Sequence, residues 1–324
     1  MEVTFSFDTI NCDTSGPGAF MRAAKWYWDE VTDMASAAGF TSIANTLIPN
    51  TENVARNGAP VCTASITTRY GSPEGYRNYL NSRGIDHVAA FGISAQKLTA
   101  AMAELGLPFS SYFTEFYKYA DDVMRMLAGT GGKILTISPT PNFASMRDMG
   151  GITPDKYGEF LSATAECINK IGKKSKEYGI QVCLKNDFWT LVHGNHIGDF
   201  LDSVDTSLIA LAPDTASTYI EGADVCQLIR QYADLIKCVY LTDTKFKDNN
   251  ENFRSLSPEY PQIGMQQRTY NDLGYGNVDF KSVYKALEDI HFDGLVILES
   301  RNTLDVPKGI LRCRTFWNHL TSKY

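Results

Sequence analysis

Charged residues collect at the ends of apolar runs in this chain, and their types suit proton-transfer chemistry. QVCLKND closes on Lys185 and Asp187, LIALAPD on Asp214, KCVYLTD on Asp243, and GLVILESR on Glu299 and Arg301. A carboxylate at such a position can serve as general base. A lysine there, if desolvated, can act as a base or form a Schiff base. Arg301, and Arg268 in the segment after KCVYLTD, can clamp a carboxylate, a phosphate or sugar hydroxyls, or remain solvated surface charge. Asp187 and Asp243 are candidates for binding substrate. Phe188 and Trp189 can stack on a sugar ring or pack as ordinary loop residues. His193 and His196 follow in the same loop and can reach a pocket.

The apolar runs alternate with segments of helical period, the pattern of βα units around a parallel sheet. Eight strands are expected, at 3–9, 41–47, 108–113, 133–138, 181–187, 208–214, 237–243 and 295–300. They lack strict alternation, as strands covered on both faces do. The clearest helix runs from Thr153 to Tyr178, with Thr153 as N-cap, Pro154 in the first turn and Gly179 closing it. Asp279 caps another. Eight strands without a linker predict one α/β domain over residues 1–324, a closed (β/α)8 barrel. Two long loops interrupt it: residues 48–106 after the second strand, which include HVAAFGI, and residues 244–275 after the seventh. Both leave the barrel face where active sites sit.

From about residue 180 to 301 the segments LKND, APDTAS, YADLIKCVYLTDTK, YNDLGYGNVDF and GLVILESR resemble, in order and spacing, the xylose-isomerase-like TIM barrels, a family of sugar isomerases, epimerases and keto-inositol dehydratases. The resemblance implies four ligands for a divalent metal at strand ends. Carried over, they fall on Lys185, Asp214, Tyr240 and Glu299, and an outer histidine falls on Ser217. Two ligands are thus kept and one is replaced by a cation, which opposes a bound divalent ion. The expectation is no metal, with Lys185 paired to Asp214 or Glu299 in its place; Mn²⁺ or Mg²⁺ held with the help of Asp187 or His193 is the alternative. Beside two carboxylates the Lys185 ammonium should titrate high, which favours stabilising an enolate over Schiff-base chemistry. Glu299 is the leading base, and Tyr240 either donates to substrate or fills the space of the missing ligands.

Composition narrows the classes. The 324 residues carry a formal charge of −7 and no basic stripe, which disfavours nucleic acid and anionic membranes. No apolar run approaches the ~20 residues of a membrane span. An acidic residue at position 2, without a basic leader, predicts a cytoplasmic protein. The seven cysteines include no CxxC pair and read as reduced thiols. No G-x-G-x-x-G follows a first strand, and no Walker A, G-x-S-x-G or HExxH motif occurs. The function that the resemblance implies is an isomerase, epimerase or dehydratase. It would act on a small carbohydrate or cyclitol by removing a proton next to a carbonyl, and self-association is left open. The competing class is a non-catalytic sugar-binding or complex-forming barrel.

Overall fold

The computed structural model describes residues 1–10, 25–47, 49, 70–254, 269–301, 303 and 305–322. Eight strands run parallel: β1 (Glu2–Ser6), β2 (Ser42–Thr46), β3 (His87–Ser94), β4 (Ile134–Ser138), β5 (Gln181–Leu184), β6 (Ile209–Leu211), β7 (Cys238–Leu241) and β8 (Leu295–Leu298). Their spatial order is β6-β5-β4-β3-β2-β1-β8-β7. The ring closes between β6 and β7 through single bridges, Leu211 to Ile236 and Asp214 to Tyr240. This is the TIM barrel that the alternating pattern predicts.

One strand differs from expectation. The stretch 108–113 is a 3-10 turn, Phe109–Ser111, leading into the helix Tyr112–Gly129. Its aromatics Phe109, Tyr112, Phe113 and Phe116 recur at helical spacing, and Phe109, Tyr112 and Phe113 each meet Phe160 of the neighbouring helix Tyr157–Tyr178. The third strand is HVAAFGIS instead, buried at every position between its two ends. The interval after β2 accordingly ends at β3, with the helix Pro73–Ser82 inside it.

The barrel interior and its outer shell use different side chains. Ala44, Ala90, Cys183, Ala210 and Cys238 cluster inside with the larger Tyr240, Leu295 and Ile297. Outward residues such as Phe5, Ile43, Phe91, Val182 and Leu298 join the larger core under the helices. The helix Tyr157–Tyr178 ends as expected, with Gly179 at φ 65°, a left-handed conformation in which glycine has no Cβ to clash. Asp279 caps the helix Phe280–Asp289 by accepting from the Ser282 amide at 3.2 Å. Among the described residues, no helix is long and apolar enough to cross a membrane, and Cys167, Cys183, Cys226, Cys238 and Cys313 are free thiols.

Candidate active site

The strands deliver their charged ends to one mouth through backbone pairing that continues past the strands. Lys185 donates its amide to Ile137 O at 2.8 Å, and Glu299 donates to Leu241 O at 3.1 Å. Asp214 caps the short helix Thr215–Ile220, its Oδ1 accepting from the Ser217 amide at 2.9 Å and from the Thr242 hydroxyl at 2.6 Å. Its other oxygen, Oδ2, is shared by two cations: Lys185 Nζ at 2.9 Å and Arg301 Nη2 at 3.2 Å. Lys185 also contacts Asp187 Oδ1 at 3.1 Å, while Ser138 donates its hydroxyl to Asp187 Oδ2. Arg301 donates Nε to Glu299 Oε1 and Nη1 to the Tyr270 hydroxyl at 2.8 Å. Ser6 completes Glu299 with a hydrogen bond to Oε2 at 2.8 Å.

Burial makes this network a strong electrostatic unit. Lys185 is 7% exposed, and Asp214 and Glu299 are 0% exposed. Burial and the Arg301 charge push the Lys185 ammonium down, but Asp187, Asp214 and Glu299 outweigh them and raise it above its ordinary value. Burial raises Asp214, yet Lys185 and Arg301 prevail and hold its carboxyl at about 2. Glu299 stands above the usual carboxylate range because burial outweighs the pull of Arg301. Lys185 is therefore a charged ammonium at neutral pH, as the carboxylate neighbours predict.

Above this network lies a cavity of about 270 Å³. Its lining includes Lys185, Asp187, Trp189, Tyr270 and Arg301 together with Asp8, Thr46, Ser94, Lys97, Thr136 and Ser138. Gly92 forms part of the wall; a Cβ there would stand 2.8 Å from Thr46 Oγ1 and 3.0 Å from Thr136 Oγ1. The hydroxyls suit a polyol, and the volume is near the lower end of ligand pockets, which run from about 300 to 1,000 Å³.

The residues singled out in the sequence divide into three groups. Lys185, Asp187, Trp189 and Arg301 line the cavity, with Asp214 and Glu299 buried against the two cations. Glu299, expected as the base, has both oxygens bonded and no exposed surface, so its contacts are those of a group that holds Arg301. Tyr240 is buried in the barrel interior, its hydroxyl 2.8 Å from Thr136 Oγ1 and its ring 5.0 Å from Lys185 Nζ. It fills the space that the surrounding alanines and cysteines leave.

Two others point elsewhere. Asp243 accepts from the amides of Thr244, Gly274, Gly276 and Val278 at 2.7 to 3.2 Å, so it anchors the loop after β7. His193 places Nδ1 2.6 Å from Glu221 Oε2, and the same buried carboxylate takes the Gly194 amide at 2.5 Å and Arg254 at 3.6 Å. In both cases a buried polar side chain is satisfied by neighbouring protein groups, backbone amides for Asp243 and the Glu221 carboxylate for His193. Arg268 lies outside the described residues. Sequence reasoning missed Asp8, Lys97, Thr46 and Tyr270; Asp8 ends an apolar run just as Asp187 does, and that signal alone could have found it.

The metal expectation can be weighed on the donors present. Among the described residues, no three His, Cys, Asp or Glu side chains converge as a metal site. The two carboxylates kept from the implied ligand set face an ammonium and a guanidinium, and a third position is a phenol bonded to threonine. This donor set does not fit a divalent ion.

Eight parallel βα units with a polar mouth define an α/β barrel with its site at the strand C-termini. The model of the xylose isomerase-like TIM barrel matches residues 33–315, and the chain belongs to that family. An inosose dehydratase of Clostridium perfringens is 24% identical over 197 residues, covering 60% of this chain and 64% of that protein. The match thus spans less than two thirds of that relative. A solved L-ribulose 3-epimerase has a TM-score of 0.64 at 16% identity, over 99% of this chain and 94% of its own. The IolI protein, solved with a bound zinc atom, has a TM-score of 0.64 at 13% identity, over 100% and 99%. These two likenesses concern the fold.

Proposed function

We propose that this chain is a carbohydrate or cyclitol isomerase, epimerase or dehydratase that removes a proton next to a carbonyl, with Lys185 and Arg301 standing in place of a divalent metal. The observation that carries the reading is the shared contact of both cations with Asp214 at the floor of a hydroxyl-lined cavity. Two fixed positive charges at the site can hold the oxygen of a forming enediolate without reorganising. Asp214, Glu299 and Asp187 keep them charged and oriented. Thr46 and Ser138, which donate to Asp8 and Asp187, keep lone pairs that can accept from the hydroxyls of a polyol, Ser94 adds a third hydroxyl, and Trp189 offers a flat wall to a ring. The inosose dehydratase relative makes a keto-inositol the first substrate to try, and a ketose such as L-ribulose the second.

Solvent deuterium exchange, followed by NMR, tests the reading. Wild-type protein is expected to incorporate deuterium beside the carbonyl of inosose or L-ribulose, and to do so equally after exhaustive chelation. Lys185→Met should slow exchange by about a hundredfold or more, the typical loss for one oxyanion donor. Loss of exchange on chelation would restore the metal. Binding of these ketones without exchange or product would favour the non-catalytic barrel.

A further inference from the structure

We propose that Asp8 is the base of this site, taking the proton from the carbon next to a carbonyl whose oxygen is held by Lys185 and Arg301. The proposal rests on the proton-abstraction reading above and names the group that performs it. Asp8 stands in the short 3-10 turn Phe7–Ile10 directly after β1 and lines the same cavity as Lys185 and Arg301. It is partly exposed, whereas Asp214 and Glu299 have no exposed surface and Asp187 only 4%.

A base needs access to its proton and a carboxylate not already neutralised. Asp214, Glu299 and Asp187 each pair with a cation. Asp8 is held differently: its oxygens accept from the Thr46 amide at 3.2 Å and the Thr46 hydroxyl at 2.5 Å. Among the described residues, no lysine or arginine pairs with it. Two donors from one residue fix the direction of the carboxylate, and lone pairs remain for substrate. Burial chiefly raises Glu299 and the Tyr240 phenol, and the Asp8 charge adds to both. Gly92 permits the arrangement, because a side chain there would strike the Thr46 hydroxyl that orients Asp8.

The chemistry balances within the site. As Asp8 takes the proton, the C–H electron pair becomes the carbon–carbon π bond, and the carbonyl π pair moves onto the oxygen facing the two cations. The carboxylic acid then returns its proton to the former carbonyl carbon, while the hydroxyl proton on the neighbouring carbon moves to the oxygen facing the two cations, giving the isomeric carbonyl compound. Alternatively, the enediolate expels a β-hydroxyl, which leaves as water with the proton from Asp8. Neither route needs an oxidant or reductant.

Two measurements decide the matter. In the exchange assay with inosose and L-ribulose, Asp8→Asn is expected to lose about a thousandfold in rate while its Kd for the ketone stays within about threefold; exchange within tenfold of wild type overturns the proposal. Second, wild-type protein is treated with a cyclitol epoxide and digested for mass spectrometry. A carboxylate facing the cavity attacks an epoxide carbon, the C–O bond opens, and the released oxygen takes a proton from solvent. An ester on Asp8 is expected; an ester on Asp187 or Glu299, or none on Asp8 at saturating reagent, overturns the assignment. If wild type exchanges neither ketone yet is esterified at Asp8, the substrate reading fails and the exposed carboxylate stands. If it exchanges normally but Asp8 is neither labelled nor needed, Asp8 alone is wrong.

Discussion

Asp187 and Asp243 begin as the same kind of residue: each stands just past the end of a barrel strand, and each is buried. Asp243 gives its oxygens to four backbone amides of the loop after β7. Asp187 gives one oxygen to an ammonium and the other to a serine hydroxyl. The first arrangement satisfies donors that would otherwise be stranded; the second assembles charge beside a cavity. Identical chemistry at like positions thus serves construction in one case and the site in the other, and the partner decides which.

The contrast can be broken in descending order of effect. Asp243→Ala strands four amides together and should lower stability by about 4 kcal/mol, since bonds to charged groups contribute about 1.5–3 each and water recovers part. Urea denaturation measures it, and a loss typical of a surface aspartate would remove the constructional reading. Lys185→Met breaks a buried ion network and should cost about 3 kcal/mol at pH 8. The sign follows from the shifts. Asp214, held at about 2, contributes stability that is present above the ordinary carboxylate range and lost as pH falls toward 2. Lys185, raised, contributes stability that persists through neutral pH and is lost only as the ammonium titrates. Without Lys185, three carboxylates share Arg301, and protonation of one relieves them. The fall in melting temperature should therefore be larger at pH 8 than at pH 5; equal falls would sever Lys185 from those carboxylates. Tyr240→Phe removes one hydroxyl contact and should cost about 1 kcal/mol, with deuterium exchange within a few-fold of wild type. A larger loss of exchange at full stability would return Tyr240 to the site.

The barrel was legible because βα alternation is a repeated signal that survives one misreading. HVAAFGI is read from sequence as part of the long loop after the second strand because alanine and glycine lack the bulk that marks strands. PFSSYF carries strand-like aromatics, yet their spacing continues as a helix through Phe116. In the site, pairing of Lys185 with Asp214 could be anticipated because the family pattern aligns residues far apart in sequence. Asp8 was missed because that pattern covers only about residues 180 to 301, although Asp8 ends an apolar run as Asp187 does. The role of Asp243 depends on Gly274, Gly276 and Val278 folding back upon it, which no local motif records.

The closure between β6 and β7 has a mechanical consequence. Where other neighbours share a ladder, this joint has single bridges, reinforced by two threonines that stitch it from both sides. Thr215 donates its hydroxyl to Thr242 O at 2.6 Å and accepts the Thr242 amide at 2.9 Å, while Thr242 Oγ1 takes the Ala216 amide at 2.9 Å. Asp214 is knotted into the same seam through Thr242. The two cations at the mouth are thereby tied, through one carboxylate, to the seam that closes the barrel.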